Sequence, residues 1–106
     1  MPGIGATSAL LVGVDGGGSK TLAVVVDRDG NERGRAAAGS SNFTAIGAEQ
    51  AAASVTQAVT GAVSLAGGQF PVRSLWAGLS GIDRPGAREL LHPMIQPLSG
   101  NIRLTN

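Results

Sequence analysis

Apolar residues fall in short runs broken by glycine and polar residues, and the period of the runs changes along the chain. Residues 10–14 and 22–26 are apolar and rich in β-branched side chains, and they flank a glycine-rich stretch; each reads as a strand of a hairpin, the second reaching Asp27. Asp29-Gly30 is a second turn signal, and residues 32–38 read as a third strand with weak alternation. The polar stretch 39–42 ends this meander. From Gly47 to Ala66 the period lengthens to that of a helix, with Ala51, Val55, Val59, Ala62, Val63 and Ala66 on one stripe. Glu49 lies in its first turn, where the helix dipole favours an acid, and Gly67-Gly68 is the stop. Residues 74–79 read as a buried parallel strand with Trp76 in the core. Asp83-Arg84-Pro85 then signals a helix start with proline in the first turn, leading into residues 87–91. Pro93 and Pro97 kink or end that helix early, and residues 101–105 read as a last strand.

Three strands, helix, strand, helix, strand predicts an α/β fold in which a meander is extended by crossovers of the right-handed kind. That order resembles a ribonuclease H-like half-domain, the unit that the actin-like ATPase fold uses as one lobe. Residues 1–8 are expected to be a flexible lead and residues 9–106 the lobe itself.

Composition narrows the function. At 106 residues the chain is one domain at most, by the usual scale of about 100–200 residues each. A net charge of +1 with seven scattered arginines gives no nucleic-acid footprint. Phe43, Phe70 and Trp76 are the only aromatic residues for base stacking. With no cysteine there is no disulfide, thiolate metal site or thiol chemistry in these residues. No basic leader precedes an apolar run, and no run approaches the ~20 residues of a membrane span, so neither a signal peptide nor a membrane partner is expected and the cytoplasm is the default.

The candidate chemistry begins in the first hairpin, at Asp15-Gly16-Gly17-Gly18-Ser19-Lys20-Thr21. Glycines permit positive φ and bring bare N–H groups against a ligand. The hydroxyls of Ser19 and Thr21 and the ammonium of Lys20, the only lysine, follow at once. The set reads as a phosphate-binding hairpin, with Asp15 placed to hold Mg²⁺ through water. It is not a P-loop. Gly13 and Gly18 have the right separation, but the lysine comes one place late and Val24, Val25 and Val26 follow where a helix is needed. Nor is it a dinucleotide fingerprint, since Thr21 stands where the third glycine belongs.

Three blocks, VGVDGGGSKT (12–21), GSSNFTAIG (39–47) and AGLSGIDRPG (77–86), resemble in order and spacing the N-terminal domain of the BadF/BadG/BcrA/BcrD-type ATPases, which include N-acetylglucosamine kinases. The resemblance implies that Asp15 organises Mg²⁺ around ATP, and that Gly16, Gly17, Gly18 and Ser19 wrap its phosphates. It also implies that Asn42, Ser80 and Gly81 meet an amino sugar. Asp83 is open between helix cap and substrate contact, and Lys20 is a further candidate for phosphate. The general-base aspartate of such kinases is expected just beyond Asn106, so no catalytic residue is assigned. The chain alone is expected to be inactive without its C-terminal lobe, and a homodimer stays open. An ATPase that drives electron transfer in a partner enzyme is the alternative reading. A nuclease of the same fold would need clustered carboxylates for two metals. His92 reads as a helix-end residue, and Asp27 and Asp29 as turn chemistry.

Overall fold

A computed structural model describes residues 9–106; the proposed lead, residues 1–8, lies outside the described residues. The strands are β1 (Leu11–Gly16), β2 (Thr21–Val26), β3 (Glu32–Ala38), β4 (Ser74–Leu79) and β5 (Ile102–Thr105), in spatial order β3-β2-β1-β4-β5. β1, β2 and β3 pair antiparallel as the expected meander, while β4 lies parallel to β1 and β5 parallel to β4. The connections are α1 (Phe43–Leu65) between β3 and β4, and α2 (Ala87–Ile95) with a 3₁₀ turn (Gln96–Leu98) between β4 and β5. This is the expected half-domain.

α1 begins four residues before the predicted start. Asn42 caps it, its Oδ1 accepting from Thr44 N at 3.0 Å. Gly47 is non-helical (φ 81°, ψ 170°) and divides one opening turn from the long body, so Glu49 enters the first turn after the break. The predicted stop is a Schellman pair: Gly67, at φ 69°, donates N–H to Ser64 O and Gly68 donates to Val63 O. Ala51, Val55, Val59, Ala62 and Val63 are buried and Ala66 partly so, as the helical period required. Close approach is built into the seam: a Cβ on Gly34 of β3 would strike the Ala62 carbonyl.

The core lies on one face of the sheet. Val12, Val14, Ala23, Val25, Leu75, Ala77 and Leu79 point into it, together with Leu91 and Ile95 of α2. The other face carries no helix among the described residues, and this overturns the placement of Trp76. Alternation puts Leu75 and Ala77 in the core and leaves Trp76 57% exposed on the open face, where Arg103 lies 5.3 Å from its ring centroid. Pro93 sits inside α2 without ending it, and His92 occupies its last turn.

Candidate functional site

β1, β3 and β4 run in the same direction, so the three segments leaving their carboxyl ends share one edge of the sheet, the edge where open α/β sheets bind ligands. These segments are the 17–20 turn, the 39–42 loop and the 80–86 loop. Backbone hydrogen bonds stitch them together. Ser80 N–H donates to Gly16 O (3.0 Å), Ser41 N–H to Gly17 O (3.2 Å) and Phe43 N–H to Ser80 O (3.1 Å). The Ser40 hydroxyl adds a bond to Gly17 O at 3.0 Å. The sequence blocks that carry candidate chemistry are thus one junction in space.

Glycine is required here for two different reasons. None of Gly16, Gly17 and Gly18 lies at positive φ, contrary to the expectation for the turn. Gly16 is needed for room: a Cβ there would overlap Ser41 Oγ and come within 2.7 Å of Leu79 Cδ2. Gly81 is needed for both, because its φ is +85° and a Cβ would lie 2.6 Å from Thr44 Oγ1 and 3.2 Å from Asn42 Oδ1.

The tip of the hairpin keeps its donors available. Gly17 N–H closes the turn on Lys20 O, and among the described residues the N–H groups of Gly18, Ser19 and Lys20 have no backbone partner. Ser19 and Lys20 are exposed. Three consecutive donors on a turn, with a lysine among the same residues, are the kind of groups that can meet an anion. The Thr21 hydroxyl, placed in that set by the sequence pattern, is turned inward instead. It is fully buried, with Oγ1 2.7 Å from both Gly39 O and Ser41 Oγ. A hydroxyl has one proton; Thr21 gives its proton to the carbonyl and receives that of Ser41. The pair pins the hairpin to the 39–42 loop.

Asp15 is exposed on the open face of the sheet, beside a hollow lined by Leu22, Trp76, Gly78 and Thr105. Among the described residues no three His, Cys, Asp or Glu side chains converge as a metal-binding group. Asn42 reaches the junction with its carbonyl committed to the α1 cap. Asp83 is not a helix cap, since α2 starts from Gly86 in the left-handed region. Its Oδ1 instead accepts from Arg88 Nη2 at 2.7 Å. Asp27 lies at the opposite end of β2 and does turn work, as read: Oδ1 accepts from Asn31 N and Asp29 N, and Oδ2 from Asn31 Nδ2 and Arg33. Those bonds, led by the Asn31 amide, hold its carboxyl below the ordinary 3.8.

Sequence reasoning missed Ser40, Ser41 and Arg88. The Ser-Ser pair sits inside the second block, where a short hydroxyl beside a loop turn is a recognisable backbone-bonding signal. Arg88 carried no signal, because its partners come from the loop leaving β4 and from the distant strand β5.

The sequence model of the BadF/BadG/BcrA/BcrD ATPase family matches residues 12–96. An N-acetyl-D-glucosamine kinase of Dictyostelium discoideum is 28% identical over 99 residues, covering 86% of this chain and 31% of that protein. A solved structure described as a candidate N-acetylglucosamine kinase, from Chromobacterium violaceum, superposes with TM-score 0.75 at 24% identity over 94% of this chain and 35% of its own. A second, so described from Porphyromonas gingivalis, gives 0.64 at 19% identity over 90% of this chain and 33% of its own. The chain therefore spans about a third of the length of these relatives. With the match running from β1 into α2 and the same half-domain fold in the solved relatives, the chain belongs to the BadF/BadG/BcrA/BcrD ATPase family.

Proposed function

We propose that residues 9–106 are the N-terminal lobe of an ATP-dependent kinase for N-acetylglucosamine or a closely related amino sugar. The observation that carries this reading is the three-loop junction, where one backbone-bonded unit joins an anion-binding turn to an amide-bearing loop and a glycine-containing loop. The kinase relative in Dictyostelium discoideum supports the substrate class.

The donors fit the cofactor. Unengaged N–H groups at Gly18, Ser19 and Lys20, with the Lys20 ammonium, suit phosphate oxygens, and the exposed carboxylate of Asp15 is a hard oxygen donor suited to hydrated Mg²⁺. Bound Mg·ATP would supply the phosphoryl group and neutralise charge developing on it. Gly16 and Gly17 set the height of the turn by packing under Ser41 and Ser80. On the other side, Asn42 Nδ2 has no partner among the described residues and offers two donors to a sugar oxygen, while Ser80 and Gly81 hold the adjacent wall. Phosphoryl transfer rests on positioning and charge stabilisation from both sides of the transferred group. The first partner of this lobe is accordingly a second lobe, and the 106 residues alone are expected to show no turnover.

The cap bond makes a clean test available. Asn42→Ser keeps an N-cap oxygen and removes the amide. In the full-length protein it should raise KM for N-acetylglucosamine about tenfold or more, with KM for ATP nearly unchanged. Steady-state kinetics on both substrates, with a panel of sugars on the wild type, decides it. If no sugar stimulates ATP consumption, the kinase reading falls and a partner-driving ATPase replaces it.

A further inference from the structure

We propose that Arg88 is a positioning residue for the sugar side of the junction, acting through Asp83 and through two backbone carbonyls; this rests on the kinase reading above. Arg88 lies in the first turn of α2 and uses its guanidinium as a three-way fork. Nη2 donates to Asp83 Oδ1 at 2.7 Å, Nη1 to Ile82 O at 3.4 Å and Nε to Leu104 O at 3.3 Å. One side chain therefore holds α2, the loop leaving β4 and the end of β5 in a single arrangement.

The held loop is tightly packed and backbone-bonded. Ile82 is fully buried, and two residues before it Ser80 bonds both Gly16 and Phe43 through its backbone. Gly81, between them, has no space for even a Cβ against Thr44 and Asn42. A shift of a few tenths of an ångström at residues 82–83 is therefore passed to Asn42. At β5, Leu104 pairs with Ala77 and Thr105 with Gly78, so the same fork fixes the strand end beside this loop.

Magnitude separates this role from a stabilising ion pair. The Arg88 and Asp83 side chains are 45% and 56% exposed, where such pairs contribute little to stability. The planar fork supplies geometry instead, and lysine cannot replace it, because a single ammonium reaches the carboxylate without spanning both carbonyls.

The experiment uses the full-length protein with Arg88→Ala, Arg88→Lys and Asp83→Asn, read by steady-state kinetics and by hydrogen exchange of the protein without ligands. Arg88→Ala should raise KM for the amino sugar about tenfold while KM for ATP stays within about twofold, with Arg88→Lys and Asp83→Asn intermediate. Exchange should quicken about tenfold or more at the amides of Ile82, Arg84 and Thr105, and stay unchanged at Gly17 in the hairpin. Equal rises in both KM values, or no change in either, overturn the positioning role. Should the wild type respond to no sugar, the kinase reading fails separately. Unchanged exchange at residues 82–84 and 105 in Arg88→Ala then overturns the fork itself, and quickened exchange there upholds it.

Discussion

Thr21→Val distinguishes a hydroxyl that serves a ligand from one that serves the fold. Valine has nearly the shape of threonine, so the substitution removes hydrogen bonds and little else. Two partners lose theirs. Ser41, fully buried, is left with an unpaired hydroxyl, and Gly39 O loses a 2.7 Å bond near the surface, where water can replace part of it. An orphaned buried group costs about 1–3 kcal/mol and a bond replaced by water about 0.5–1 kcal/mol. Burying a methyl in place of the hydroxyl returns up to about 1 kcal/mol. The net expectation is a loss of roughly 1–2 kcal/mol. At a urea m-value of about 1–3 kcal/mol/M, that lowers the unfolding midpoint by about 0.3–2 M. Thr21→Ser keeps the hydroxyl and deletes only a buried methyl, so its loss should be about 1 kcal/mol from packing, without the loosening of the hairpin. The assay is equilibrium urea unfolding of the two variants, with nucleotide affinity by calorimetry in parallel. If Thr21→Val unfolds within about 0.3 kcal/mol of the wild type yet loses nucleotide affinity, the inward assignment is wrong and the hydroxyl faces the phosphate.

Two further outcomes test the junction and the distal turn. Gly81→Ala should cost roughly 2–4 kcal/mol from left-handed strain plus overlap with Thr44, whereas Gly30→Ala, at φ 84° with open space around it, should cost only about 1 kcal/mol; equal losses in chemical denaturation would remove the close contact from the account. The lowered carboxyl of Asp27 gives stability that is complete above its ordinary value of 3.8 and lost as pH falls through the lower folded-state value. Asp27→Asn should therefore shrink the gap to the wild type as pH drops from 5 to 2 in a series of thermal melts, and a constant gap over that interval would refute the linkage.

The strands and helices were legible because each buries one face with its own period. Ala51, Val55, Val59 and Val63 announce α1, and Gly67-Gly68 announces its end, since both signals are local. Trp76 was misplaced because an apolar run of six looks the same whether one face or both are covered. Only the position of the helices, a property of the whole fold, separates the cases. The start of α1 was missed because Gly47 interrupts the pattern after a single turn. At the site, which segments meet could be read from topology, but what each side chain does there could not. Asp83 stands where a cap belongs and pairs with Arg88, and Thr21 lies in a run of polar residues yet turns inward, because β2 alternation puts residue 21 on the face of Ala23 and Val25.

Much of the junction's geometry lives in the backbone. The stitching bonds join main-chain groups, Gly16 and Gly81 are selected by contact distances, and the unpaired donors at the hairpin tip are main-chain N–H groups. Substituting an exposed polar side chain at this edge should then disturb one ligand contact at a time. Adding a single carbon at Gly16 or Gly81 disturbs the spacing between loops, and through it both sides of the junction at once. Ser41 occupies the point where these effects converge. Its N–H holds Gly17 O, its hydroxyl holds Thr21, and its Oγ fills the space a Gly16 side chain would need. Ser41 thus sets the distance between the 17–20 turn and the Asn42 loop, and on the proposed kinase reading that distance would decide whether the two substrates meet.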